Sequence, residues 1–402
     1  MFVPAGALMS ISLLAGGGGS TTKSTGLPDI VRSLGKEEPT ALAKQKQHQT
    51  HLVVHFDINE TVLVGDDAGG DTREDSLNKI IAKSAFCKIP AGSSELGKSM
   101  DDSDPIVPTH WWDGSVIGET NEAPPLYTGW NWPDGCCPYY RTAFKKRSKI
   151  FVEDDHGKPY APLYHEMERL VAFNHPRDGG LPDILSHLIP ALFESIQTLT
   201  QRPQPVRFVF RTFGTDLPEI ADAVSAFSRG QHPDYPDFCH PNLELPRDLL
   251  YRGRWTKDSI YQLLQYDDPT TVVASGDAAI IKFLESKPMC GINDDYEFWA
   301  ANEWEPWAGK PVWVSTSSPQ EHHILLDDNI HNIENDSIAS VRREQADGTY
   351  EFLTGSEIQD MQGLHLIRVP TIEPILNRDW FVEQLDKAQE RFAEQQQNLN
   401  IN

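Results

Sequence analysis

A short apolar run that ends in an aspartate, at residues 51–57, constrains the fold more than any other feature. The segment HLVVHFD places four apolar residues between His51 and Asp57. This composition is typical of a short strand buried on both faces, as in parallel sheets. Open α/β sheets bind their ligands outside the carboxyl ends of the strands, which is where Asp57 stands. The pattern predicts a buried strand with a site at its end.

Four further apolar segments predict strands, with helical periodicity between several of them. They are residues 206–210, 310–315, 322–329 and 363–369. Helical spacing predicts a helix over residues 183–200 that bends at Pro190, a helix start at Asp216, and a closing helix capped by Asn377. Because strands separated by helices favour parallel pairing, we predict an α/β fold with a mostly parallel, Rossmann-like sheet and helices on both faces.

The composition between these elements predicts the domain organisation. Residues 66–180 are rich in Asp, Gly, Pro and Trp and show little periodicity, which indicates a large irregular insertion. The α/β core then comprises residues 49–65 and 181–402. Residues 216–305 within it are the candidate for a second insertion. Residues 1–48, with a Gly and Ser run, are predicted to be a flexible tail whose apolar start is weakly similar to a targeting segment.

The charge of the chain limits the class of its partners. The formal net charge of -24 disfavours nucleic acids and anionic membrane surfaces, which would be repelled. A small phosphorylated molecule stays compatible if a metal ion or a lysine attracts it locally. The five cysteines show neither paired nor zinc-site spacing, which favours a reducing, cytoplasmic location. The sequence leaves the oligomeric state open.

Polar side chains follow three of the predicted strands. Thr212 stands between a strand end and a helix start, where free backbone N–H groups favour an anion. A carboxylate pair ends the strand at 322–329. The full set, in chain order, is Asp57, Asn59, Thr61, Thr212, Asp327 and Asp328.

The order of these motifs resembles that of the haloacid dehalogenase (HAD) superfamily of aspartate-nucleophile phosphatases. The first motif of the family is similar to FDINETV here, the second to VFRTF and the fourth to ILLDDN. The resemblance covers about the sheet-forming half of the chain. It implies that Asp57 is a nucleophile and that residues 66–180 form a cap over the site, which selects a small phosphorylated substrate.

The resemblance also implies a magnesium ion. Its ligands would be Asp57, the backbone carbonyl of Asn59, and Asp327 or Asp328, because Mg²⁺ prefers hard oxygen ligands. Thr61, Thr212 and a lysine would bind the phosphate. We favour Lys310 for that lysine because it directly precedes the strand nearest the acidic pair, with Lys287 and Lys282 as alternatives.

Asn59 departs from the pattern of the family. Most phosphatases of the superfamily have a second Asp two residues after the nucleophile, where it exchanges protons with the leaving group and with water. An amide cannot exchange a proton at neutral pH, and general acid/base catalysis typically contributes 10²–10⁴-fold in rate. The sequence thus predicts a magnesium-dependent phosphohydrolase that is slow or restricted to good leaving groups such as acyl phosphates. The alternative is a noncatalytic HAD-like binding or regulatory protein.

Overall fold

The structure, a computed structural model, describes residues 50–65, 70–89, 107–119, 122–142, 145–172, 181–315, 321–330 and 337–401. The predicted tail at residues 1–48 lies outside the described residues, as do parts of the predicted insertion.

The strands of the described residues are short, and several lie in segments with no strong apolar pattern. They are β1 (His51–Asp57), β2 (Phe86–Lys88), β3 (Cys136–Pro138), β4 (Val206–Thr212), β5 (Leu250–Trp255), β6 (Tyr261–Gln265), β7 (Val272–Ser275), β8 (Met289–Asn293), β9 (Lys310–Val314), β10 (Glu321–Asp327), β11 (Ala339–Glu344), β12 (Tyr350–Phe352) and β13 (Leu366–Arg368).

Helices connect and cover these strands. They are α1 (Arg73–Ser84), α2 (Lys145–Ser148), α3 (Ala161–Val171), α4 (Pro190–Thr200), α5 (Leu217–Ser228), α6 (Asp277–Glu285), α7 (Tyr296–Ala301), α8 (Ser356–Asp360), α9 (Ile372–Leu376) and α10 (Trp380–Ile401). Single-turn 3₁₀ helices lie at Tyr139–Arg141, Phe151–Glu153, Lys158–Tyr160, Asp183–His187, Pro241–Leu243, Arg247–Leu249 and Pro306–Ala308.

The largest sheet has eight strands in the order β13-β10-β1-β4-β8-β5-β6-β7. The strands from β13 to β5 pair in parallel, and β6 and β7 add antiparallel pairs at one edge. The predicted α/β fold with a mostly parallel sheet is therefore confirmed. Strand β1 lies in the interior of the sheet between β10 and β4, and from Leu52 onward each of its residues is buried. Since parallel strands end at the same edge, this topology brings the ends of β1, β4 and β10 together.

Strand β9, which we counted with the predicted main sheet, belongs to a second sheet of three strands. It pairs in parallel with β11, and β11 pairs with β12. All five residues of β9 are buried because the strand packs over one face of the large sheet. Trp313 contacts the cluster that includes Val53 and Val209, while Val312 packs with Leu325.

The segments expected to be insertions contribute differently to the structure. Within residues 216–305, strands β5 to β8 join the large sheet. Within residues 66–180, the structure contains helices α1 and α3, which the low periodicity did not predict. Helix α1 begins with reciprocal hydrogen bonds between Thr72 and Asp75. Its Leu77 packs in the same apolar core as Phe56 of β1.

The helix predicted over residues 183–200 does not bend at Pro190. Instead, a 3₁₀ turn ends at His187, and Pro190 is the first residue of α4. Proline is favoured at this position because the first helical N–H has no partner inside the helix. The closing helix is present as α10, preceded by a turn in which Asn377 accepts a hydrogen bond from the backbone of Asp379.

Candidate active site

Lys310 joins two carboxylates at the carboxyl ends of β1 and β10. Its Nζ lies 2.5 Å from Asp57 Oδ1 and 2.8 Å from Asp327 Oδ2. Both aspartates end their strands, whereas Lys310 begins β9 in the second sheet. The three side chains are almost fully enclosed, with exposed fractions of 1% for Lys310, 7% for Asp57 and 0% for Asp327. The site is therefore a buried cation held between two acidic groups.

Burial and neighbouring charges shift the pKa values of Asp57 and Lys310. Burial raises the pKa of Asp57 well above its usual value and the charge of Asp327 raises it further, while Lys310 opposes both effects. Burial alone would lower the pKa of Lys310, but the charges of Asp327 and Asp57 outweigh that effect and raise it. The lysine therefore stays charged, and its charge only partly offsets the rise in the pKa of Asp57.

Asp328 faces a second lysine, which comes from the segment at residues 66–180. Lys83 of α1 lies 2.9 Å from Asp328 Oδ2 and also contacts Glu60 in the turn after β1. Burial raises the pKa of Asp328 to about 6 despite the opposing charge of Lys83. Thr61 is fully buried, and its hydroxyl accepts a hydrogen bond of 3.1 Å from the backbone N–H of Asp328. This bond fixes the turn after β1 against the end of β10.

Asn59 and Thr212 contact each other and Asp216. The Thr212 hydroxyl lies 3.0 Å from Asn59 Oδ1 and 3.2 Å from Asp216 Oδ1, and it accepts a 2.7 Å bond from the backbone N–H of Gly214. The Asn59 amide donates to Asp216 Oδ2 at 3.0 Å. Both polar ends of the Asn59 side chain are thus engaged with neighbouring side chains.

The backbone on both sides of Lys310 is tied to the large sheet. Trp255 of β5 donates from its indole Nε1 to the carbonyl of Gly309 at 3.1 Å. Arg211 of β4 donates to the carbonyl of Pro311 at 3.2 Å. These side-chain bonds hold β9 over the large sheet, to which it has no backbone pairing among the described residues.

The structure brings the predicted site residues together at the carboxyl ends of the parallel strands of the large sheet. Asp57, Lys310, Asp327 and Asp328 form one group, and Asn59, Thr212 and Thr61 lie around the turn beside it. The alternative lysines lie elsewhere. Lys282 is on α6, and Lys287 Nζ lies 5.3 Å from the centroid of the Phe283 ring.

Two neighbours of the group were not predicted from the sequence. Lys83 lies on a segment with no recognisable motif and Asp216 at a predicted helix start, and each reaches the site only through the packing of its helix or turn. The single local signal is the position of Asp216 directly before α5, beside the end of β4.

The donor atoms fit a hard divalent cation. One carboxylate oxygen from each of Asp57, Asp327 and Asp328 lies within 4.8 Å of the other two, and all three residues are buried. Carboxylate oxygens are the ligands that Mg²⁺ prefers. Asp328 Oδ1 accepts from the Asn329 side chain at 3.1 Å, so a cation would compete with this partner and with Lys310.

Comparisons of the chain with protein-family models, with curated proteins and with solved structures found no match. No helix of the described residues is both long enough and apolar enough to span a membrane.

Proposed function

We propose that this chain is a magnesium-dependent phosphohydrolase with a HAD-like, Rossmann-like core, acting on a small phosphorylated molecule through an aspartyl-phosphate intermediate. The observation that carries the proposal is the enclosed contact of Lys310 with both Asp57 and Asp327, at the ends of neighbouring parallel strands. Lys310 lies between the carboxylates that end two neighbouring strands, and burying two carboxylates beside one ammonium is costly, which supports a functional role for the group.

In the proposed reaction, Asp57 attacks the phosphorus atom of the substrate. A bond forms between the carboxylate oxygen and phosphorus while the bond to the leaving oxygen breaks, and the leaving group departs with that electron pair. Water then attacks the same phosphorus, the bond to Asp57 breaks, and inorganic phosphate is released. Lys310, which stays charged, stabilises the negative charge that develops on the transferred group.

A magnesium ion held by Asp57, Asp327 and Asp328 would reduce the repulsion between the carboxylates and the phosphate. The acid/base step is where this chain differs from the family pattern. Asn59 cannot give a proton to the leaving oxygen, and its amide is engaged with Thr212 and Asp216. A leaving group that is stable as an anion needs no proton. The favoured substrates are therefore acyl phosphates and other phosphates with good leaving groups.

We infer that residues 66–180 serve as the cap of this site. Lys83 of α1 contacts Asp328, and the Thr128 hydroxyl lies 3.1 Å from Glu373 Oε1. Contacts from this segment therefore reach two places near the carboxyl edge of the sheet. The low exposure of Asp57 and Lys310 is consistent with a small substrate that enters when such a cap moves.

The test is a phosphatase screen with and without magnesium, using acetyl phosphate, p-nitrophenyl phosphate and an alkyl phosphomonoester. We expect magnesium-dependent turnover that follows the quality of the leaving group and is lost in Asp57→Asn. Asp258→Asn, at an exposed turn position, is the matched control and should retain full turnover. Equal activity in Asp57→Asn and the wild type would show that Asp57 is not the nucleophile.

The alternative is a noncatalytic protein that keeps this fold. It is favoured by the way the polar groups near Asp57 engage one another, since Asn59, Thr212 and Asp216 are hydrogen-bonded to one another. A folded protein that binds no magnesium and turns over none of the three substrates would support this alternative over the phosphohydrolase.

A further inference from the structure

A cavity of about 640 Å³ lies along the β13 edge of the large sheet. Helix α10 and the segment around Trp130 also line it. Its volume falls in the range of small-molecule sites, which is roughly 300–1,000 Å³. None of the residues assigned to the phosphohydrolase site lines this cavity.

Large apolar side chains form much of its wall. Trp130 and Trp380 contribute indole rings, and Leu366, Ile367 and Pro370 add aliphatic surface. Such a lining favours a ligand with a flat apolar body, because aromatic rings give large contact areas at low conformational cost.

The charges of the lining differ from those of the whole chain. Three cationic side chains, Arg368, Lys387 and Arg391, line the cavity with two acidic ones, Glu373 and Glu390. The chain as a whole has 35 Lys and Arg residues against 59 Asp and Glu residues. Because the rest of this acidic protein repels anions, a local excess of cationic side chains would attract an anion to the cavity.

Two N–H groups of the lining residues are shielded from solvent and have no acceptor among the described residues. They are Arg368 Nε and Trp130 Nε1. Arg368 uses Nη1 to donate to the carbonyls of Gly129 and Trp130, at 3.1 and 3.4 Å. Leaving a buried donor without an acceptor is unfavourable, so these two groups indicate that an acceptor is missing here. Burial also lowers the pKa of Arg368, and Asp328 only partly offsets this effect, so an added anion would stabilise the guanidinium.

We propose that this cavity binds a small organic anion with a flat aromatic body, such as an aromatic carboxylate. Arg368 and the Trp130 indole donate to the carboxylate after a small adjustment of their side chains, while Lys387 and Arg391 attract it from the open side. The tryptophan rings enclose the aromatic body. The proposal for this cavity does not rest on the proposed phosphatase chemistry.

The experiment is calorimetric titration of the full chain with 2-naphthoate and with 2-naphthamide, which share the rings and differ in charge. We expect 2-naphthoate to bind at least tenfold more tightly than the amide. Arg368→Met keeps the aliphatic stem and removes the cation, so it should abolish that preference. Arg254→Met, at an exposed position of β5 outside the cavity, should keep it.

Equal binding of the two compounds, or no binding of either, would overturn the proposal. So would a preference for 2-naphthoate that survives in Arg368→Met. Arg368 is largely enclosed, so a second variant guards against misfolding. Lys387 and Arg391 are exposed on α10, and the double change Lys387→Met with Arg391→Met should reduce the preference at least threefold. An unchanged preference in that folded double variant would also overturn the proposal.

Discussion

The guanidinium of Arg211 donates a hydrogen bond to the carbonyl oxygen of Pro311, which ties β4 to the residue that follows Lys310. The same guanidinium pairs with both oxygens of Asp294, at 2.8 and 2.5 Å, and the exposed fractions of the two side chains are 0% and 1%. The hydroxyl of Tyr261 also donates to Asp294. A fully enclosed ion pair therefore fixes the strand on which Lys310 lies.

Arg211→Met should destabilise the protein by about 3–5 kcal/mol, because it leaves the Asp294 carboxylate buried with one neutral donor. Urea unfolding gives the free energy. The double change Arg211→Met with Asp294→Leu removes both charges and should recover part of this loss. If the double variant lost as much unfolding free energy as Arg211→Met and Asp294→Leu lose together as single variants, that result would contradict a direct pairing between the two groups.

Gly309→Ala should displace β9 from β11. An added Cβ at this position would lie 2.1 Å from the carbonyl oxygen of Ile338, a backbone atom that cannot rotate away. We expect a loss of roughly 1–3 kcal/mol in unfolding free energy. Turnover should also fall, since Lys310 is the next residue. Gly348→Ala is the control, because its Cβ would meet no atom within 4 Å and only the strain of its φ of +80° remains. Turnover that survives in Gly309→Ala would count against this account.

Exchanging the side chains of Asn59 and Asp216 should broaden the substrate range. Asn59→Asp alone would place two carboxylates 3.0 Å apart, so it should lower stability at neutral pH. The double change Asn59→Asp with Asp216→Asn reverses the hydrogen bond and supplies a titratable carboxylate two residues after Asp57. If the proposed reaction holds, turnover of an alkyl phosphomonoester should rise by about 10²–10⁴-fold. Asp216→Asn alone is the control, and an equal gain in that variant would argue against a role for residue 59.

The contribution of His365 to the stability of the fold should decrease as the pH falls below about 6.5, the usual histidine value. Burial lowers the pKa of His365 to about 4, although its ring Nδ1 donates to the carbonyl of His323 at 2.8 Å. Between these values the unfolded chain binds a proton that the folded chain does not, so the free energy of unfolding falls with decreasing pH. Protonation of this histidine in the unfolded chain should lower the free energy of unfolding by about 1.5 kcal/mol between pH 6.5 and pH 5.

His365→Asn keeps a donor near the His323 carbonyl and removes the titrating ring. The slope of unfolding free energy against pH should become shallower between pH 4 and 6.5, as measured by urea unfolding at several pH values. The slope should not vanish, because burial also lowers the pKa of His322 and His55. His240→Asn changes an exposed histidine and serves as the control. An unchanged slope in His365→Asn would mean that His365 does not titrate as described.

The sequence predicted the parts of the fold that depend on local composition. Strands β1, β4 and β10 each contain three consecutive apolar residues, and parallel pairing of such strands places their polar ends together. The pairing of β9 could not be predicted, because its partner is the polar segment ASVRRE of β11. Strand β5, with the sequence LYRGRW, includes a glycine and two arginines and shows no clear strand pattern.

The same limit applies to the candidate site. Lys310 is favoured because it directly precedes the strand nearest the acidic pair, and the structure places it in contact with Asp57 and Asp327. Lys83 is 245 residues away from Asp328 along the chain, so only tertiary packing relates them. Contacts of this kind have no signature in a single sequence.

The ion pairs of Lys310 connect two separately hydrogen-bonded sheets, and this links the charge state of the site to local unfolding. If the three-stranded sheet opened alone, it would withdraw the ammonium and leave Asp57 and Asp327 enclosed without a counter-charge. Opening would therefore be accompanied by proton uptake or by entry of a cation. The amide hydrogens of the three-stranded sheet should therefore exchange more slowly than expected for three short strands without these ion pairs. Their exchange, corrected for the intrinsic effect of pH, should become faster at acidic pH.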